Sequence, residues 1–357
     1  LEQLPTAYRD LDEAERTDRI ETALAELGDD VVILGHNYQR REIVEHADFV
    51  GDSYQLSKEA AEADAEYVIF GGVTFMAESA DIITDDEQTV ILPSMEASCP
   101  MAGMAEALQV DAAWAEITAA APDANIIPIT YMNSYADLKA FCASQGGLVC
   151  TSSNAHRAFE WAFDRGDKVL FLPDKHLGEN TAHRLGMEDA IAEWDPWDPE
   201  GKDATEVAES DIILWDGYCQ VHERFSEEHI EQVRADDPDA NVIVHPECRR
   251  EVVEAADVAG STATICDTVA NAEPGETWAI GTEIHLTRHL QRWHPEVNVL
   301  PLCGDACMDC NAMRQIDPNY LTWVLEELVA GRERNVIEVA PDEKELAQVA
   351  LDRMLEI

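Results

Sequence analysis

The sequence predicts an α/β fold made of three homologous units with parallel sheets. Short β-branched runs alternate with Ala- and Glu-rich stretches at helical spacing, the pattern of buried strands joined by crossover helices. The same order of strand-like runs occurs three times, with a cysteine just beyond the fourth run each time. A repeat of roughly a hundred residues is domain-sized and unlike the short period of a solenoid.

In the first unit the pieces are VVILGHNYQ at 31–39, GDS at 51–53, YVIFGGVTFMAE at 67–78 and TVILPSMEASC, ending at Cys99. The second answers with NIIPITYMNS at 125–134, LVCTSSNA at 148–155, KVLFLPDKHLG at 168–178 and DIILWDGYC, ending at Cys219. The third has NVIVHPEC at 241–248, DVAGSTATIC at 257–266, WAIGTEIHL at 278–286 and VNVLPLCGDACMDC, ending at Cys310. Domains are therefore expected over 22–118, 119–232 and 233–330, with terminal helical segments at 1–21 and 331–357. A helix at 102–120 is expected to link the first two. The acidic stretch 187–210 reads as a surface insertion whose Pro, Gly and Asp favour turns.

Composition bounds the function. The 357 residues carry 73 acidic and 24 basic side chains, a formal net charge of −49. Such a surface repels nucleic acid and anionic membranes. The acids are dispersed along the chain, which suits a solvated surface in high cytoplasmic salt better than an acidic tail. An anionic substrate then needs a local pocket of hydroxyls, amides, His or metal. No apolar run approaches the roughly 20 residues of a membrane span, and LEQLPTAYRD lacks the features of a signal peptide. A cytoplasmic location is expected. There, nine cysteines are poor material for a disulfide framework and better material for metal, although Cys142 and Cys266 read as buried apolar residues.

Parallel α/β units gather ligand-binding residues beyond the carboxyl ends of their strands, and the unusual residues lie there. With three units around a pseudo-threefold axis, Cys99, Cys219 and one cysteine of the last loop would meet and suit three irons of a four-iron cluster. The fourth iron would serve as a Lewis acid for loss of water. Cys303, Cys307 and Cys310 offer a local rival, C-x3-C-x2-C, similar to the motif of radical enzymes that use S-adenosylmethionine. That motif ordinarily comes early in a chain and here comes late. A zinc staple lacks a second ligand pair nearby. Singly, His36, His245, Tyr38, Glu247, Ser53, Ser152, Ser261 and Thr262 read as core, cap or surface residues. Jointly, at matching strand ends, they suit binding of a small dicarboxylate and proton transfer. No nucleotide-binding glycine motif occurs.

GHNYQ, GDS, the Met-Glu-Ala-Ser-Cys-Pro-Met-Ala run, TYMNS, CTSSNA, PDKHLG, WDGYCQVH, VHPEC, GST, GTE and CNAM, in this order over nearly the whole chain, resemble the quinolinate synthase family. The resemblance implies three αβα-sandwich domains around a pseudo-threefold axis and one [4Fe–4S] cluster per chain on Cys99, Cys219 and Cys310. It implies a transferase of NAD biosynthesis that joins iminoaspartate to dihydroxyacetone phosphate and releases phosphate and water. It also implies a functional link to an iminoaspartate-producing enzyme. By the same resemblance His36 and Tyr38 handle protons over the substrate, and His245 with Glu247 forms the acid–base group opposite. Tyr131, Asn133, Ser53, Ser152, His222, Ser261 and Thr262, with His36, His245 and Glu247, hold the substrate. Some relatives have C-x2-C-x2-C in the last loop. The longer first gap here questions a role for Cys303, while Cys307 and Cys310 have the spacing of a dithiol. The competing readings are another hydroxy-acid dehydratase with the same cluster, and an iron–sulfur electron carrier. Neither explains the full set of strand-end residues.

Overall fold

The structure, a computed structural model, describes residues 3–85, 87–197 and 204–357. Its strands form three sheets, and every strand pair in them is parallel. Two compact units result, Leu1–Cys99 with Asp309–Ala340 and Pro100–Met308 with Pro341–Ile357.

The first unit contains β1 (Val31–His36), β2 (Phe49–Gly51), β3 (Tyr67–Gly71) and β4 (Thr89–Ile91), in the order β2-β1-β3-β4. All six residues of β1 are buried, as a strand covered by helices on both faces requires. Asp52 starts the helix Ser53–Glu62 with a capping box closed by Gln55, which satisfies two of its orphan N–H groups. The N-terminal helix Glu13–Leu27 packs on the helix Pro318–Val329. Arg19 fastens them by two hydrogen bonds to Glu326, at 2.7 and 2.6 Å, and the Tyr8 hydroxyl donates to the same carboxylate.

The second unit holds the other two sheets. One is made of β5 (Ile126–Tyr131), β6 (Leu148–Cys150), β7 (Lys168–Leu172), β8 (Ile191–Trp194) and β9 (Ile212–Trp215), in the order β6-β5-β7-β9-β8. The other has β10 (Asn241–Val244), β11 (Val258–Ala259), β12 (Thr277–Gly281) and β13 (Asn298–Pro301), in the order β11-β10-β12-β13. Without β8, all three sheets share one strand order, second-first-third-fourth. That order places a topological switch beside the first strand of each sheet, where α/β folds bind ligands.

Strand β8 lies within 187–210, the stretch read as a surface insertion whose composition favours turns. Ala192 and Trp194 point inward and alternate with exposed Glu193, so a period of two overrides the polar surroundings. Residues 198–203 of that stretch lie outside the described residues. The helix Ala107–Ala120 sends Val110, Ala113 and Ile117 into the core of the five-stranded sheet, with Leu170, Ile213, Trp194 and Trp215. Trp215 is fully buried and donates from Nε1 to the Met104 carbonyl; its truncation to Ala should cost about 3–5 kcal/mol. Cys142 belongs to this core, whereas Cys266 is only half-buried, the buried residues of its helix being Thr262, Ile265 and Val269. No described helix is long and apolar enough to cross a membrane.

Candidate active site

The strand ends of the second unit bring four of the expected residues together. His245 follows β10 and Glu247 follows two residues later, in a turn where Glu247 N donates to His245 Nδ1 and Cys248 N to the His245 carbonyl. His222 begins a short 3-10 turn (His222–Arg224) after β9. Its Nδ1 lies 2.7 Å from Glu247 Oε2, and His245 Nδ1 lies 3.1 Å from the same oxygen. The two imidazoles stack at 4.6 Å. Burial alone would push the Glu247 carboxyl up, but the two histidines outweigh it and hold the group ionised, well below the usual carboxylate range. Glu247 is 3 % exposed, and its Oε1 has no hydrogen-bond partner among the described residues.

Cys219 completes this group. One ligand atom each from Cys219, His222 and Glu247 lie within 4.8 Å of one another, so the trio could hold a metal ion. The chain reaches Cys219 through a close passage. Gly217 bridges to Asp174, and a Cβ on Gly217 would lie 2.4 Å from the Pro173 carbonyl, so only glycine fits.

Sequence reasoning missed Asp174. It is fully buried at the N-cap of the helix Lys175–Arg184, where its Oδ1 accepts from Leu177 N, and backbone N–H groups of His176 and Cys219 also reach it. Burial, then the nearby Glu247 charge, push its carboxyl well above the usual range against those N–H groups. Thr282 was also missed, although it stands in the quoted GTE piece; its hydroxyl lies 2.9 Å from His222 Nε2 and fixes the ring's other edge.

The remaining predicted residues occupy switch positions. Tyr131 ends β5, and Asn133 follows in a turn locked by Thr130 Oγ1 donating to Ser134 Oγ and Ser134 Oγ to the Tyr131 carbonyl. Fully buried Lys139 donates to the Ser134 carbonyl. It went unremarked, although a lysine among apolar helix residues in so acidic a chain is a signal. Ser152 lies just beyond β6, in a loop where Asn154 Oδ1 accepts from Thr151 N. Beyond β11, Ser261 caps the helix Thr262–Ala270 by accepting from Thr264 N.

In the first unit His36 ends β1, and its Nδ1 accepts from Tyr38 N at 3.1 Å while the Tyr38 ring meets it edge-on at 4.8 Å. Ser53 opens the helix after β2. Cys99 follows β4 in a loop pinned by Thr74, which donates to the Ala97 carbonyl. Cys310 stands at the N-cap of the helix Asn311–Arg314. All three cysteines expected on metal are half-buried. The last loop differs from the suggested dithiol, because a disulfide joins Cys303 to Cys307, brought together by the 3-10 turn Gly304–Ala306.

Fold and site together define a parallel α/β protein with a Cys/His/Glu metal-binding group and switch-point polar residues. The family described as quinolinate synthetase A protein matches residues 18–356. A quinolinate synthase of Haloarcula marismortui is 85% identical over all 357 residues and 96% of its own length. Those of Acidobacterium capsulatum and Corynebacterium glutamicum are 50% and 48% identical over 98% and 99% of this chain, and over 95% and 90% of their own. This chain belongs to the quinolinate synthase family, a family of enzymes.

Proposed function

We propose that the chain is a transferase that condenses iminoaspartate with dihydroxyacetone phosphate to quinolinate, with loss of phosphate and water, in NAD biosynthesis. The observation that carries the chemical part is the Glu247 carboxylate, buried, ionised and gripped by two stacked imidazoles beside Cys219. An ionised carboxylate set against two imidazoles orients their rings and shares a proton with them, so the three side chains handle the proton of a bound substrate as one unit. His36 and Tyr38 are the second proton-handling pair. Ser53, Tyr131, Asn133, Ser152, His222, Ser261 and Thr262 hold the carboxylates and phosphate with hydroxyls, amides and imidazole. Short donors of this kind serve an anionic ligand in a chain with so few cations.

One [4Fe–4S] cluster per chain is assigned to Cys99, Cys219 and Cys310. The residues fit it: each is a half-buried thiol that follows, in the chain, the fourth repeated strand of one sheet, β4, β9 or β13, and thiolate is the ligand iron–sulfur clusters take. When bound, the cluster would supply a Lewis-acidic iron for a substrate hydroxyl or carboxylate. The chain's own residues bind, orient and move protons. A cytoplasmic, high-salt setting and a link to the enzyme that makes unstable iminoaspartate belong to the same reading. The acidic composition and the haloarchaeal relatives support the salt.

Iron and sulfide content, with the visible spectrum, tests this in anaerobic, high-salt preparations of the wild type and Cys219→Ala. The wild type is expected to carry the cluster and form quinolinate, and the variant to do neither. An intact cluster in Cys219→Ala overturns the ligand assignment.

A further inference from the structure

We infer that Asn180 is a positioning residue for Glu247, and that the helix Lys175–Arg184 is the bracket that sets the geometry of the acid–base group. The inference rests on the reading of Glu247 as that group. Asn180 is 8 % exposed, and its Nδ2 donates to two carbonyls, Pro246 O and Cys248 O, at 2.8 Å each. These carbonyls flank Glu247 in the chain. Because both contacts are to carbonyl oxygens, only the NH2 end of the amide can face them. One side chain therefore pins the backbone on both sides of the base.

The same helix reaches the other members of the site. His176 Nε2 lies 2.6 Å from Glu223 Oε2, and Arg249 Nη2 lies 2.7 Å from Glu223 Oε1. Glu223 is the neighbour of His222, and Arg249 follows Cys248, so this link ties the histidine's turn and the Glu247 loop to one helix. At the start of the helix, Lys175 N donates to the Gly217 carbonyl at 2.8 Å, two residues before Cys219. Groups of this helix thus register Cys219, His222 and Glu247 against one rigid element. Catalytic groups lose about 10²-fold in rate for a misplacement near 1 Å, so loss of the Asn180 clamp should act on turnover more than on binding.

The test is Asn180→Leu and Asn180→Ser in the full, cluster-loaded chain, with kcat, KM, iron content and melting temperature measured on each. Asn180→Leu removes both donors in a similar volume and is expected to lower kcat about 10²-fold. Asn180→Ser keeps one short donor and should fall between it and the wild type. Iron content should stay near wild type and KM within about threefold, as expected when the loss falls on the transition state, while the melting temperature of Asn180→Leu falls by several degrees because two buried carbonyls lose their donor. Turnover within about threefold of wild type in both variants overturns the inference, and so does a loss that merely tracks lost iron or lost folding. Glu247→Gln, run beside them, separates the two claims. If it is fully active, the acid–base reading of Glu247 falls; if it is inactive while both Asn180 variants are active, only the clamp falls.

Discussion

The turn after β1 and the turn after β10 can be laid over each other bond for bond. In each, the residue two after the histidine donates its N–H to the histidine Nδ1, Tyr38 to His36 and Glu247 to His245. In each, the next residue donates to the histidine carbonyl, Gln39 at 2.9 Å and Cys248 at 3.0 Å. The backbone is a repeat, and the side chain two after the histidine is not. The turn after β1 presents a half-exposed phenol edge-on to its imidazole, while the turn after β10 presents a buried carboxylate between two imidazoles. One backbone turn thus carries two sets of side chains, Asn37, Tyr38 and Gln39 in one and Pro246, Glu247 and Cys248 in the other, and only the second meets a further imidazole, that of His222.

The largest effect should come from removing the charge in the turn after β10. Glu247→Gln keeps the shape but cannot take up a proton, and quinolinate formation should fall by at least about 10²-fold, the low end for a general base. Iron content should stay at the wild-type level, measured on the same sample. Tyr38→Phe should be milder. It removes one hydroxyl and leaves the ring against His36, so a loss of about tenfold in kcat/KM is expected, near the worth of one hydrogen bond. Equal losses in the two variants would show the two turns to be chemically equivalent and break the contrast.

The features legible in the sequence are those that repeat. Four β-branched runs per unit, a cysteine past the last, and polar residues past the first two are all local patterns, and the strand order confirms them. Strand β8 was hidden because its four residues, Ile191–Trp194, are followed by Asp, Pro and Gly, which read as turn. At the site, His36, His245 and Glu247 were visible as odd residues at strand ends, and His222 only through the family resemblance. Asp174 and Asn180 were not visible, because each matters through what it touches. Asn180 holds carbonyls 66 and 68 residues away, and nothing in the helical run around it announces them.

The smallest effects probe the scaffold that the two turns share. Asp48 Oδ2 accepts from Ile33 N in the first sheet, and Asp257 Oδ2 accepts from Val242 N in the third, both at 2.8 Å. In return Asp48 N donates to the Ile33 carbonyl and Asp257 N to the Val242 carbonyl. Ile33 and Val242 are fully buried, so Asp48→Ala or Asp257→Ala leaves a strand N–H without its acceptor. Each should cost about 1–2 kcal/mol, read as a shift of the urea midpoint. Asp257 alone also pairs with Arg234, at 3.1 Å, but both side chains are about two-fifths exposed, and such a pair contributes about 0.5 kcal/mol or less. Arg234→Ala should therefore shift the midpoint barely at all, and less still in high salt, where screening shortens the pair's reach. If Arg234→Ala instead accounts for most of the Asp257→Ala loss, the aspartates are doing different work in the two sheets, and the repeat is one of shape without a shared means of support.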